Sequence, residues 1–594
     1  MNVRGLRRRA AGYALWQWRR RTPGPASSAA PDAVRRSLSE RDRWSVIILT
    51  DRPSQWRLQP WLRTFFHDDV LIYATGYTPT RTRQPSVTIE RLKTIAGVAA
   101  DVRTRPPADL NVDLRENPTD ASQQEAWRRL FVCVALGGAY VHRDIAREGD
   151  EPVQGWARTV AGLADARPMD DLARALGSAT GSVRASGGYA VHVKTAVHYL
   201  KVPERRIAVL ETRAPRLSVD LRDSLPGVAE IVSPPVHGYE RDDPAAIDRL
   251  RFDAPTASMR HYRGPMRVLG HLAVVHETTL LPPSFGYPTE PVPLTVLGTD
   301  VTADFATLPA TVDADVPGIA GDFYDLNAAY PAHFGHFITE VPAKLWGWDA
   351  AKAANPQLRA IVRIPKDYEP TYERELLHAY GIGEDDILWQ RRPVAVDSLI
   401  ACTPLWQSHD RFVSRTPQWQ DHEPYWYHPA IRDTWARLRS ALLDPGREPG
   451  ARRLFIARPE GMHHRDCRNA PAVQALFEEY GFAVAHPERH TFAEQAALFA
   501  DAAVVAGFGG SGMFNMLFSE QLQHVIVLNH EAYHTRNEHL YAAAQGAESH
   551  TFWSVPDVPQ KGSRHEPKAF HSAWSFDFAR NEAALRETLA ALDV

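Results

Sequence analysis

Residues 504–518 read VVAGFGGSGMFNMLF: an apolar run of strand type, a loop with glycine at 507, 509, 510 and 512, and a second apolar run suited to a helix. A loop so poor in Cβ atoms at a helix start lets a phosphate sit on backbone N–H groups. Read literally, Gly507, Gly509 and Gly512 spell G-x-G-x-x-G, the pattern of dinucleotide-binding turns. The surroundings alternate regularly: strand 454–457, helix 471–480, strand 482–486, helix 492–500, strand 503–506, the loop with helix 513–518, and strand 525–528. Strands and helices alternating at this spacing imply a parallel sheet covered on both faces. Local signals agree, with Asn469 placed to cap a helix that has Pro471 in its first turn, Gly481 to stop it, and Thr491 with Glu494 to form a capping box.

Outward from this unit, the 594-residue chain is too long for one core, since ~150 residues is a common domain size. Residues 1–42 read as a basic tail and linker. Residues 43–234 form an N-terminal α/β domain, opening with the strand WSVIILTD, a helix over 55–66 and the strand DVLIYAT. Within it, residues 189–200 have helical spacing, followed by the strand-like RIAVLE and a strand at 229–232. Residues 235–265, charged and Pro-containing, read as a linker. Residues 266–430 hold strands near 267–276 and 292–297, the helix-like FGHFITEVPAKLWGW and the strands AIVRIP, DILWQ and SLIAC. Residues 431–594 form the C-terminal unit containing the glycine loop.

Composition excludes several classes of function. With 44% apolar and 23% charged residues the chain is of ordinary globular type, and its net charge of −3 gives no field for gripping nucleic acid. Three dispersed cysteines, Cys133, Cys402 and Cys467, encode neither a disulfide framework nor a cysteine zinc site, which points to a reducing cytoplasm. The N-terminal MNVRGLRRRAAGYALWQWRRRTPGP is no signal peptide and no membrane span. It reads as a disordered basic tail, with a short segment lying on the inner face of an anionic membrane as the alternative. Arginine well in excess of lysine, with abundant Ala, Pro and Asp, suits a GC-rich bacterial genome.

The run ARRLFIARPE, then CRNAPAVQALFEEYGFAVAHPERHTFAEQAALFADAAVVAGFGGSGMFNMLF, together with HFGHFITEVPAKLW upstream, resembles glycosyltransferase family 61 over roughly residues 265–550. The resemblance implies a GT-B arrangement of two Rossmann-like domains, here preceded by an additional N-terminal α/β domain. Residues 266–430 would be the acceptor-side half and 431–594 the half that binds a nucleotide-sugar donor. It also implies an inverting, metal-independent transfer to a glycan or glycolipid acceptor in cell-surface or capsular polysaccharide synthesis, with the nucleotide-sugar as co-substrate and no cofactor required. The donor-binding residues so implied are Arg458, Glu494, Gln495, Gly507, Gly509, Gly510, Ser511, Gly512 and Asn515.

Chemistry supports these positions while leaving plainer roles open. Arg458, ending a strand, stands where open α/β sheets bind ligands and can pair with phosphate, or is a solvated loop arginine. Glu494 can accept from a ribose, or simply cap its helix; Gln495 can touch a base or merely sit on a helix. Asn515 can orient the donor or cap the glycine-loop helix. An inverting transfer needs a base for the acceptor hydroxyl. His336 and Glu340, four residues apart on one helix face, supply an imidazole and its orienting carboxylate, or a buried histidine satisfied by its neighbour. Asp325 in YDLNAAY is a further candidate base. The chain departs from the family's G-P-H-G-A-G loop at Gly509, where relatives carry histidine; nearby His530 and His534 are the candidate substitutes.

A fainter resemblance links LGGAYVHRDI, residues 136–145, to the GG-x-Y-x-D-x-D segment of GT-A-type glycosyltransferases, with His142 and Asp144 in the metal-ligand positions. A histidine there weakens an oxygen-ligand site, and a plain turn after an apolar strand is the simpler reading. Two further readings of the whole chain stay open. One is an NAD-dependent oxidoreductase using the literal G-x-G-x-x-G, with Glu531 24 positions after Gly507 as the ribose ligand. The other is a catalytically degenerate glycan-binding or scaffold protein.

Overall fold

The structure is a computed structural model that describes residues 25–36, 38, 40–51, 58–65, 67–75, 87–92, 94–115, 118–143, 176–177, 179–186, 189–239, 246–285, 298–309, 316–408, 425–458, 464–533, 535, 537–561 and 566–593. The basic N-terminal 24 residues, Asp144 and His534 lie outside the described residues. The chain is α/β throughout, and among the described residues no helix is long and apolar enough to cross a membrane.

The N-terminal sheet runs Val87–Arg91, Asp69–Ala74, Ser45–Thr50, Ala108–Asp113, Val134–Arg143, Tyr189–Lys194, Thr180–Ser186. Its first five strands are parallel and Tyr189–Lys194 is antiparallel to both neighbours. Apolar side chains leave both faces of the central strands, so helix Leu58–Thr64 covers one with Trp61 and helix Asp120–Leu130 the other with Trp127. The helical spacing over 189–200 gives way to strands Tyr189–Lys194 and Tyr199–Lys201, because Tyr189, Val191 and Val193 serve one face in period two. RIAVLE, expected as a strand, lies in a 3-10 turn, Glu204–Val209, and a short helix, Leu210–Arg213.

A second, larger sheet is built on the 14-residue strand Ala257–Gly270, antiparallel to Val394–Cys402. From there a parallel block continues through Phe323–Asp325, Arg359–Arg363 and Ile387–Gln390. The FGHFITEVPAKLWGW segment is not one helix. It runs as α-helix Phe334–Glu340, a 3-10 stretch Pro342–Gly347 and α-helix Trp348–Ala354. Pro342 has no N–H to continue the first of these.

The C-terminal sheet has the order Ala246–Asp248, Val236–Tyr239, Glu548–Ser554, His524–His530, Val504–Phe508, Arg453–Ile456, Ala483–Ala485. All pairs but the first are parallel. Within the 235–265 segment read as a linker, residues 236–239 thus complete this sheet. The Thr491–Glu494 capping box forms and Gly481 takes φ 76°. Asn469 makes no capping bond; its amide instead exchanges two hydrogen bonds with the backbone of Phe576, at 2.8 and 2.9 Å. The run after the glycine loop is a 3-10 helix, Ser511–Phe518.

One apolar core spans the second and third sheets, joining Tyr324, Phe337, Ile338 and Leu345 to Met513, Phe514, Leu517 and Tyr541. It presses helix Phe334–Glu340 directly onto the glycine-loop helix.

Candidate functional site

The loop after strand Val504–Phe508 is shaped by what surrounds each glycine. A Cβ on Gly507 would stand 2.6 Å from the Ile456 carbonyl oxygen, and one on Gly509 2.3 Å from Asn529 Nδ2. Position 509 therefore has no room for the family's histidine. The Gly509 N–H donates to Leu528 O at 3.1 Å, and the Gly510 N–H donates to the Glu538 carboxylate. Of the loop's donors, this leaves Ser511 and Gly512, the first two N–H groups of the 3-10 helix, without an intrahelical acceptor. Both residues are partly exposed, whereas Gly507, Gly509 and Gly510 are buried.

Two guanidinium groups converge beside them. Arg458, just beyond strand Arg453–Ile456, donates to Gly509 O at 2.7 Å and to His464 O at 2.8 Å. Gly510, at φ 153°, would place a Cβ 2.8 Å from Arg458 Nη2 and 3.5 Å from Arg465 Nη2. Only glycine admits both that backbone conformation and that approach. Arg465 spreads over the rings of Tyr533 and Phe570 at 4.6 and 5.2 Å. Burial, reinforced by the charge of Arg465, pushes the Arg458 guanidinium down to about 10. Two cations held this close call for an anion between or above them. Glu538 answers part of that call from behind the loop, where it accepts from Tyr533 Oη at 3.0 Å and burial raises its carboxyl.

Helix Phe334–Glu340 closes the other side. A Cβ on Gly335 would stand 2.8 Å from Ser511 Cβ, so this glycine sets the closeness of the two helices. Thr339 Oγ1 and Tyr541 Oη, 2.9 Å apart, pin the same contact. One turn along, His336 Nδ1 lies 2.6 Å from Glu340 Oε1, while Glu340 Oε2 accepts the Ala329 N–H at 2.6 Å. Burial alone would raise the Glu340 carboxyl, but the His336 imidazole and the Ala329 N–H outweigh it and hold it below the ordinary carboxylate range. The His336 side chain keeps 37% of its surface exposed, so the ring is both oriented and reachable. His333, whose Nδ1 accepts the His336 N–H, is lowered by burial and by His336, with Arg465 contributing from across the junction.

The remaining candidates lie elsewhere. Asp325 is buried against Lys344 Nζ at 3.2 Å and accepts from Asn327 Nδ2 at 2.7 Å, an arrangement that fixes the loop leading to His336. Asn515 and Gln495 bond to each other at 2.9 Å inside the core, stitching the glycine-loop helix to helix Phe492–Ala500. Glu494 spends its carboxylate on the Thr491 N–H at 2.7 Å, with its side chain 61% exposed. His530 is buried, its ring 6.0 Å from Trp574. In the N-terminal sheet His142 is buried with Nε2 3.0 Å from His192 Nε2. Glu531 forms an ion pair with Arg580 at 2.7 Å. Arg465, His333 and Glu538 were not singled out from the sequence; a second arginine in the segment after Arg458 and the paired histidines of HFGHF were the only signals available.

The family comparison covers these same elements: residues 334–526, from the helix bearing His336 to the strand after the glycine loop, match the model described as glycosyltransferase 61. This segment is similar to glycosyltransferase family 61. No curated protein matches the chain. Among solved structures, the MycE methyltransferase of the mycinamycin biosynthetic pathway, in complex with Mg and SAH, is 13% identical over 30% of this chain and 49% of its own, with a TM-score of 0.23. A putative ribosomal RNA methyltransferase from Plasmodium falciparum is 10% identical over 29% of this chain and 98% of its own, with a TM-score of 0.20. The chain thus spans about half the length of the MycE structure, and superpositions this loose carry no argument about the site.

Proposed function

We propose that the protein transfers a sugar from a nucleotide-sugar donor to a glycan or glycolipid acceptor, with inversion at the anomeric carbon. In this reading the family-61 segment provides two Rossmann-like halves of GT-B type, and the reaction sits at their junction. The donor diphosphate lies on the Ser511 and Gly512 N–H groups, flanked by the guanidinium groups of Arg458 and Arg465. His336, held by Glu340, takes the proton of the acceptor hydroxyl as its oxygen attacks the anomeric carbon. The nucleoside diphosphate departs from the opposite face, and the two arginines neutralise the charge it acquires. No cofactor enters this scheme. A role in cell-surface or capsular polysaccharide synthesis, at the cytoplasmic face of a membrane, is the setting that suits such an acceptor.

The observation that carries this reading is the contact of Gly335 with Ser511, which brings the His336–Glu340 pair to the arginine-flanked loop. The test is incubation of the full chain with a panel of UDP- and GDP-sugars, with EDTA present and absent, followed by measurement of released nucleotide. Release with at least one donor supports the transferase. Donor binding without turnover points to a glycan-binding scaffold, and binding of NADH in place of every sugar nucleotide overturns the proposal.

A further inference from the structure

A second cluster of functional side chains sits at the opposite end of the C-terminal sheet from the glycine loop. His237, Glu548 and His550 each bring a ligand atom within 4.8 Å of the others. The ladder explains how. His237 is paired with His550, and Glu548 with His524, in adjoining parallel strands. Side-chain alternation along the strands then puts all four residues on one face. The His237 and His550 rings stack with centroids 4.5 Å apart, His524 lies 5.8 Å from His550, and His237 Nε2 is 3.5 Å from Glu548 Oε2.

This arrangement is poorly satisfied by protein alone. His237 Nε2, His524 Nδ1 and both ring nitrogens of His550 are buried and make no hydrogen bond. Buried polar atoms without partners are uncommon and costly, so four in one cluster need an explanation. Imidazoles with one carboxylate are a donor set preferred by zinc-class ions. Tetrahedral coordination at zinc distances puts ligand atoms about 3.4 Å apart, so modest side-chain rotation would close the observed spacing. The Glu548 side chain, 42% exposed, leaves a route for the ion to enter.

We propose that His237, Glu548 and His550 bind one divalent transition-metal ion of the zinc class, with His524 or a water in the fourth position. The ion ties strand Val236–Tyr239 to the C-terminal sheet. His524 begins the strand whose other end carries Asn529, the side chain against Gly509. Five residues of strand separate the two ends by roughly 17 Å, so the ion is structural and stands apart from the transfer chemistry.

The experiment uses the full chain stripped with EDTA and titrated with Co2+ and then Zn2+. One equivalent of Co2+ should bind with a visible ligand-field spectrum that Zn2+ abolishes, and Zn2+ should raise the melting temperature. His550→Gln and His237→Gln should each weaken binding at least tenfold and remove the Zn2+-dependent rise, with nucleotide release unchanged. Should a histidine variant fail to fold, Glu548→Gln, at a half-exposed carboxylate, carries the same test. No binding to the stripped protein, or equal binding by wild type and variants, overturns the proposal.

Discussion

Two glycine-bearing segments, one inside strand Val134–Arg143 where the sequence suggested a turn and one in the loop after strand Val504–Phe508, differ in what presses on their glycines. In the N-terminal unit a Cβ on Gly138 would meet the Asp109 carbonyl oxygen at 2.3 Å. The polar residues around that strand are closed on each other: Asp113 is clamped by Arg115 at 2.6 and 2.9 Å, and His142 faces His192. In the C-terminal unit Gly507 and Gly509 are likewise explained by packing, but Gly510 faces two guanidinium groups and Ser511 faces the helix of His336. A glycine hemmed in by backbone reports on the fold, whereas one hemmed in by two guanidinium groups points to an anion. That difference, more than glycine count, supports the proposed placing of the donor at the C-terminal loop.

The largest effect should come from the base. His336→Ala is expected to lower kcat by roughly 10²–10⁴-fold with little change in donor affinity; a change below threefold in steady-state turnover would remove His336 from the chemistry. Arg458→Ala should cost roughly 10²–10³-fold in turnover through the lost charge at the leaving group. Binding of nucleoside diphosphate, measured by calorimetry, should weaken as well, and an unchanged affinity would detach the loop from the donor.

Restoring the family's histidine should fail. Gly509→His drives a ring into Asn529 and is expected to destabilise by about 1–3 kcal/mol, seen as a lower melting temperature without gain of activity. A stable, more active variant would show that the position is open after all. Glu340→Gln tests the sign of a titration. The folded carboxyl lies below its ordinary value, so between that value, about 4.3 in the unfolded chain, and the folded pKa only the unfolded chain takes up the proton. Stability from Glu340 is therefore present above the unfolded pKa and lost as pH falls through the folded one. The variant should show a flatter fall of melting temperature with acidification below about pH 4.3. Last, His142→Asn should leave turnover within about twofold, because this buried residue of strand Val134–Arg143 is asked only to fit. Loss of donor binding there would move the donor site to the N-terminal unit.

What was legible in the sequence was local. The parallel C-terminal sheet, the Thr491–Glu494 capping box, the left-handed Gly481 and the position of Arg458 after its strand all follow from periodicity and short-range chemistry. The His336–Glu340 pair is legible for the same reason, being one helical turn. Residues whose meaning depends on distant partners were not. Arg465 acquires its role from Gly510, Glu538 from the Gly510 N–H, and the emptiness at Gly509 from Asn529. Asn515 and Gln495 look like ligands on separate helices until the fold bonds them together. Residues 189–200 turn out as strands because short apolar runs fit either period, and the antiparallel partners Val134–Arg143 and Thr180–Ser186 decide between them.

The strand Val236–Tyr239 also bears on how the protein is made. It pairs with Glu548–Ser554 across more than three hundred residues of chain, from Val236 to Ser549. During synthesis the C-terminal sheet must wait for its last parallel strand to emerge before this earlier segment finds its place, and closing so long a loop slows folding. Until then strands Val236–Tyr239 and His524–His530 each present a bare edge on which a neighbouring chain could dock. A fragment cut to residues 334–526 would lack both strands and end inside strand His524–His530, so the family match and the sheet that holds it have different boundaries in this molecule.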